Sequence, residues 1–139
     1  MADRHAALAA SRAPSSEDID ALARLAYAQL PPEFLKLCEG LVIQVTEFPD
    51  EETLDEMEAR SEFELLGLFR GRGLAHSGAA PETGVLPNMI WLYRRPLLDF
   101  WCEGEDTLGA VVTHVLVHEI GHHFGLSDQD MEAIEEAAR

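Results

Sequence analysis

Apolar residues recur at two different periods along the chain and mark out helices and short strands. Ile19, Leu22, Leu25, Ala26 and Leu30 repeat at helical spacing. Ser15 or Ser16 offers that helix an N-cap, with Glu17 and Asp18 in its first turn. Pro31 and Pro32 end it, and Pro32 opens a short second helix that Gly40 closes. In "LVIQVTEF", Leu41, Ile43 and Val45 alternate with Gln44 and Thr46, which predicts a half-buried strand. "FELLGLFRG" predicts a second strand, apolar on both faces, and "NMIWLYRR" a third that Pro96 prevents from continuing regularly. Between the first two lies "DEETLDEMEAR", a helix-prone acidic run anchored only by Leu54 and Met57, which reads as a solvated face. "PLLDFWCEG" reads as a short helix or turn.

A long helix is then expected from about Glu105 to Phe124, with Asp106 or Thr107 near its start and Gly125 as a left-handed stop. Ser127 caps a last helix that carries Asp128 and Asp130 in its first turn. Residues 1 to about 15, small and of mixed charge, read as a flexible leader. "GRGLAHSGAAPETGVLPN" reads as a long loop of the functional or mobile kind. No internal repeat or linker divides the rest, so residues 16–139 are expected to form a single domain.

Composition narrows the function. A chain of 139 residues with 47% hydrophobic positions can bury a core without a disulfide or a metal, so a metal here would serve function more than folding. The formal net charge of −16 repels phosphate backbones and anionic membrane surfaces, so neither nucleic acid nor membrane is an expected partner. The same field attracts cations and basic peptides. Cys38 and Cys102 form no CxxC pair, and two reduced thiols are expected over a single disulfide. Asp3, Arg4, His5 and Arg12 interrupt any signal-peptide core, and no apolar run is long enough to span a bilayer. The expected location is cytoplasmic.

The candidate chemistry lies in "VHEIGHHFGLSD". Histidines four apart on a helix share one face, so His118 and His122 can converge on one cation, and zinc accepts nitrogen at about 2.0–2.1 Å. Glu119 is offset by one helical step, poorly placed to ligate but well placed to reach a water on the metal and act as general base. The motif sits in the apolar helix "LGAVVTHVLVHEIGHHFGL", where two imidazoles and a carboxylate are otherwise hard to satisfy. The pattern continues as HExxHxxGxxD. Gly125 can turn the chain back, so Asp128 is a candidate third ligand; Asp130 and Glu132 are the next candidates, and Asp128 would alternatively offset the dipole of the last helix. His114 lies one turn before His118. Three histidines stepping up a helix cannot share one ion, because the outer two are about 12 Å apart along the axis. His114 is therefore read as a supporting or core residue, and His123 as pointing away from the pair.

"HEIGHHFGLSDQDM", with "LPNMIWLYRRPLL", "LPPEFLKLCEGLVIQVTEFP" and "ELLGLFRG" before it, resembles the small bacterial zincin-like metallopeptidases. The resemblance implies an α+β minimal zincin fold: a small, about three-stranded sheet packed on an N-terminal helix and the motif helix, followed by a short C-terminal helix. It also implies one Zn2+ per chain held by His118 and His122, with Asp128 as third ligand and Glu119 as general base. Metzincins share the HExxHxxGxx spacing but usually place histidine where Asp128 stands. The eleven residues after Asp128 leave no room for their separate methionine turn, and Met131 is expected to pack in the last helix.

The expected activity is zinc-dependent hydrolysis of extended peptides or unstructured protein, with "NMIWLYRR" as the candidate edge strand for substrate or, on the other reading, a core strand. Tyr93, Arg94 and His76 are available as oxyanion donors, although sequence places none of them and each reads as structural before catalytic. The alternative is a metal-binding zincin scaffold that works as an interaction or regulatory module, and a further alternative is a chain that binds no metal.

Overall fold

The computed structural model describes residues 2–71 and 87–138. Among these residues seven helices and three strands follow one another: α1 (Ala2–Ala10), α2 (Ser16–Ala28), α3 (Pro32–Leu37), β1 (Val42–Thr46), α4 (Glu51–Glu56), β2 (Gly67–Arg70), β3 (Met89–Tyr93), α5 (Arg94–Glu103), α6 (Leu108–His123) and α7 (Asp128–Ala137). The fold is α+β. The leader contains the helix α1, exposed from Asp3 onward. Most of the expected long loop, and His76 with it, lies outside the described residues.

Local chemistry explains the element ends. Ser15 caps α2 in a capping box with Asp18. Its buried stripe is Ile19, Ala23 and Ala26, continued past the helix end by Leu30, while Leu25 is 62% exposed. Leu25 sits about 120° round the helix from that stripe, so the apolar period holds for the others but not for it. Arg94 and Arg95, expected at the end of a strand, begin α5 instead. Pro96 then falls in the first helical turn, where its missing N–H breaks no bond and its fixed φ suits the helix.

The sheet has the order β1-β3-β2. β1 runs parallel to β3, with Ile43 opposite Ile90 and Val45 opposite Leu92. β2 runs antiparallel to β3, with Gly67 opposite Leu92 and Phe69 opposite Ile90. "NMIWLYRR" is thus the central strand and not an edge, as its apolar residues on both faces allow: Ile90 and Leu92 are fully buried, and so nearly is Tyr93 on the opposite face. Among the described residues the edges are β1, which packs beside α2, and β2, which packs on α6.

The inward sheet face joins α2, α3, α5, α6 and α7 in one core containing Ile19, Phe34, Ile90, Leu97, Leu116, Ile120 and Met131. No charged residue is fully buried among the described residues. α6 touches α2, α5, α7, β2 and β3, which explains why it is apolar nearly all round. Gly67 lets it approach the sheet closely: a Cβ there would stand 3.0 Å from both the Trp91 carbonyl and Val115 Cγ1. Cys38 is buried and Cys102 exposed, both as free thiols. No helix among the described residues is long and apolar enough to cross a membrane.

Candidate metal centre

The end of α6 sets the geometry of the site. Gly125 adopts a φ of +75°, the left-handed conformation that a Cβ resists. Its N–H donates to the His122 carbonyl (3.1 Å) and that of Leu126 to Gly121 (2.9 Å), closing a Schellman motif. The chain reverses within four residues and Ser127 caps α7, its Oγ accepting from the Asp130 N–H at 3.0 Å. The Asp130 carboxylate in turn accepts from the Ser127 N–H, completing a capping box. Asp130 is thereby committed to the cap, whereas Asp128 faces back toward α6.

Gly121 makes the return packing possible. A Cβ on it would come within 2.8 Å of Met131 Cγ and closer still to Met131 Sδ. Met131 is fully buried in this contact, packed in the last helix as expected. The close approach of α7 brings its first and second turns against the histidine side of α6.

Two sets of donors converge there among the described residues. In the first, donor atoms of His118, His122 and Asp128 lie within 4.8 Å of one another. His122 Nε2 is 3.9 Å from Asp128 Oδ1, and the two imidazole rings stand nearly perpendicular at 86°. The set is shallow: the His118 side chain is 23% exposed, that of His122 58% and that of Asp128 93%. The second set is His114, His118 and Glu135. Glu119 and Glu132 belong to neither set.

Electrostatics differ between these groups. Burial, then the nearby His114, lowers the His118 pKa below the usual imidazole range, which keeps a nitrogen lone pair free for a metal. Burial raises the Glu119 pKa, opposed only by His122, so its carboxylate is a stronger proton acceptor than an exposed one. His123 turns away from the sets; its ring meets Phe69 of β2 edge-on at 4.6 Å. The donor chemistry of the first set, two imidazole nitrogens and a carboxylate oxygen, fits zinc.

The zincin-like metallopeptidase family matches the chain over residues 38–138. The chain belongs to that family. A comparison with curated proteins finds no match. Family membership implies zinc binding, and the zincin helix α6 with its Gly125 turn falls inside the matched span. α2 precedes that span, although its Ile19, Ala23 and Ala26 complete the core behind α6.

The candidate oxyanion donors separate. Tyr93 is 3% exposed, and its phenol is pushed up to about 12, chiefly by burial and then by the charge of Asp50, with Arg70 opposing. Arg94 is engaged elsewhere: its Nε donates to the Pro14 carbonyl (2.6 Å) and its Nη1 to Glu47 (2.8 Å), tying the segment before α2 to the exit of β1. Glu135 is the candidate donor that motif reading misses. Its signal is local: Met131, Ile134, Glu135 and Ala138 form the inward stripe of α7, and Glu135 is its one acid.

Proposed function

We propose that this zincin hydrolyses peptide bonds in extended peptides, with one zinc ion per chain held by His118, His122 and Asp128 and with Glu119 as general base. The observation that carries the reading is the convergence of those three donors beside a half-buried carboxylate of raised pKa. Zinc in that position would acidify a water and polarise the scissile carbonyl. Glu119 takes the proton of the attacking water and delivers it to the departing amine. Its raised pKa brings it closer to working pH, where a carboxyl group can both accept and return a proton.

Substrate would add to the sheet at β2 rather than β3. Among the described residues β2 pairs on one side only, with β3, and it lies on the metal-centre helix. An extended peptide there would gain backbone hydrogen bonds along a free edge. The net charge of −16 favours basic or neutral peptides over acidic ones.

One observation favours the alternative of a metal-binding interaction module: Arg94 is tied to Pro14 and Glu47 and so is not free to donate to an oxyanion. A peptide library digested by zinc-loaded protein, with Glu119→Ala alongside and products read by mass spectrometry, separates the readings. The peptidase reading expects cleavage by the wild type alone. Equal cleavage by both removes Glu119 from its role, and stoichiometric zinc without cleavage favours the module.

A further inference from the structure

One turn back along α6 from the first donor set, Glu135 reaches in from α7. Its Oε1 is 2.7 Å from His114 Nδ1 and 3.4 Å from His118 Nε2. Neither contact has the alignment of an N–H···O hydrogen bond, so this oxygen is buried without a hydrogen-bond partner. The side chain as a whole is only 15% exposed. A carboxylate oxygen so placed is costly unless a cation or an aligned donor meets it. The His114 and His118 rings lie with centroids 3.9 Å apart and 32° between planes, so both turn a nitrogen edge toward the same oxygen.

We propose that His114, His118 and Glu135 form a second divalent-cation position, for zinc or a similar transition ion, that competes with the first position for His118. The donors are two imidazole nitrogens and a carboxylate oxygen, the chemistry zinc takes. Ligands at about 2.0–2.2 Å from zinc stand roughly 3–3.5 Å from one another, close to the separations already present. A neutral imidazole has one lone pair, so His118 serves one ion at a time. The two positions are therefore alternatives and not halves of a two-metal centre. The second is reachable from the His114 side, whose side chain is 50% exposed. An ion held there withdraws His118 from the first position, so excess zinc acts as an inhibitor of whatever the first position does.

The competing explanation is that Glu135 only orients His118 by accepting its N–H, as outer-shell carboxylates do. Zinc titration of the full chain by calorimetry at neutral pH distinguishes them, with circular dichroism confirming the fold of each variant. The wild type is the control for the first position. His122→Ala/Asp128→Ala, which dismantles that position, still binds one zinc per chain. Adding Glu135→Gln or His114→Ala to it weakens that zinc by more than about 100-fold, beyond the roughly 10- to 100-fold an outer-shell partner is worth. Two outcomes overturn the proposal: a folded His122→Ala/Asp128→Ala protein that binds no zinc, or one whose zinc ignores the loss of Glu135 and His114. Zinc binding by the wild type together with either outcome leaves the proposed peptidase function untouched. A folded wild type that binds no zinc contradicts that function and the second position together, because it carries the residues of both.

Discussion

One side of α6 presents Val112, Leu116 and Ile120, each fully buried in the core, whereas the opposite side presents His114, His118 and His122, none of them fully buried. The first side meets apolar neighbours and asks only for close packing. The second meets α7 across a turn that fixes polar groups at a shallow surface, where they gain little from burial. On the proposed function, stability and chemistry therefore reside on different sides of one helix, and substitutions should separate them. Gly121 is the position where they are coupled, because its contact with Met131 both completes the core and seats α7 beside the histidines.

The largest separation is expected at Glu119. Glu119→Gln should lower kcat for peptide cleavage by about 10²- to 10⁴-fold, the usual contribution of a general base, while zinc content by elemental analysis stays that of the wild type. Loss of zinc along with activity would make Glu119 a ligand and blur the comparison. On the other side, Leu116→Ala should cost about 2–5 kcal/mol in denaturant unfolding, with zinc affinity little changed in the fraction that remains folded. At the coupling point, Gly121→Ala should cost about 1–3 kcal/mol through overpacking against Met131 and should weaken zinc as well. A Gly121→Ala protein with unchanged zinc affinity would mean that α7 is not needed to position the first donor set.

The smallest expected effect concerns pH and the metal-free chain. The Glu119 pKa is raised by burial, so its neutral form is the one the fold prefers. Its contribution to stability is present in full below the ordinary carboxyl value of about 4.3 and is lost as pH rises through the raised native value. Glutamine carries no charge to desolvate. Metal-free Glu119→Gln should therefore melt higher than metal-free wild type at about pH 8, and the gap should close at about pH 4. A gap of the opposite sign would place Glu119 among stabilising partners instead of in an apolar setting.

Much of this arrangement is legible in the residues because it is local. The HExxH spacing puts two imidazoles on one helix face, Gly125 announces the turn, and Ser127 with Asp130 announces the start of α7; none of these needs information from elsewhere in the chain. The position of β3 is different. Apolar residues on both faces of "NMIWLYRR" indicate burial but not neighbours, and strand order depends on where α4 and β2 place the intervening chain. Leu25 misleads because a spacing within one turn of the others still falls off the buried stripe. Glu135 escapes motif reading because its meeting with His114 depends on the packing of α7, set by Gly121 and Met131 rather than by spacing from the histidines. Arg94 reads as available until the fold brings Pro14 and Glu47 to it.

The position of the metal decides between these readings. Crystals loaded with one equivalent of zinc, measured at the zinc absorption edge, locate it directly by anomalous scattering. The principal peak is expected among His118, His122 and Asp128, within bonding distance of all three and beside Glu119. A principal peak away from His122 and Asp128, or no peak in a folded, zinc-soaked protein, would contradict the central claim.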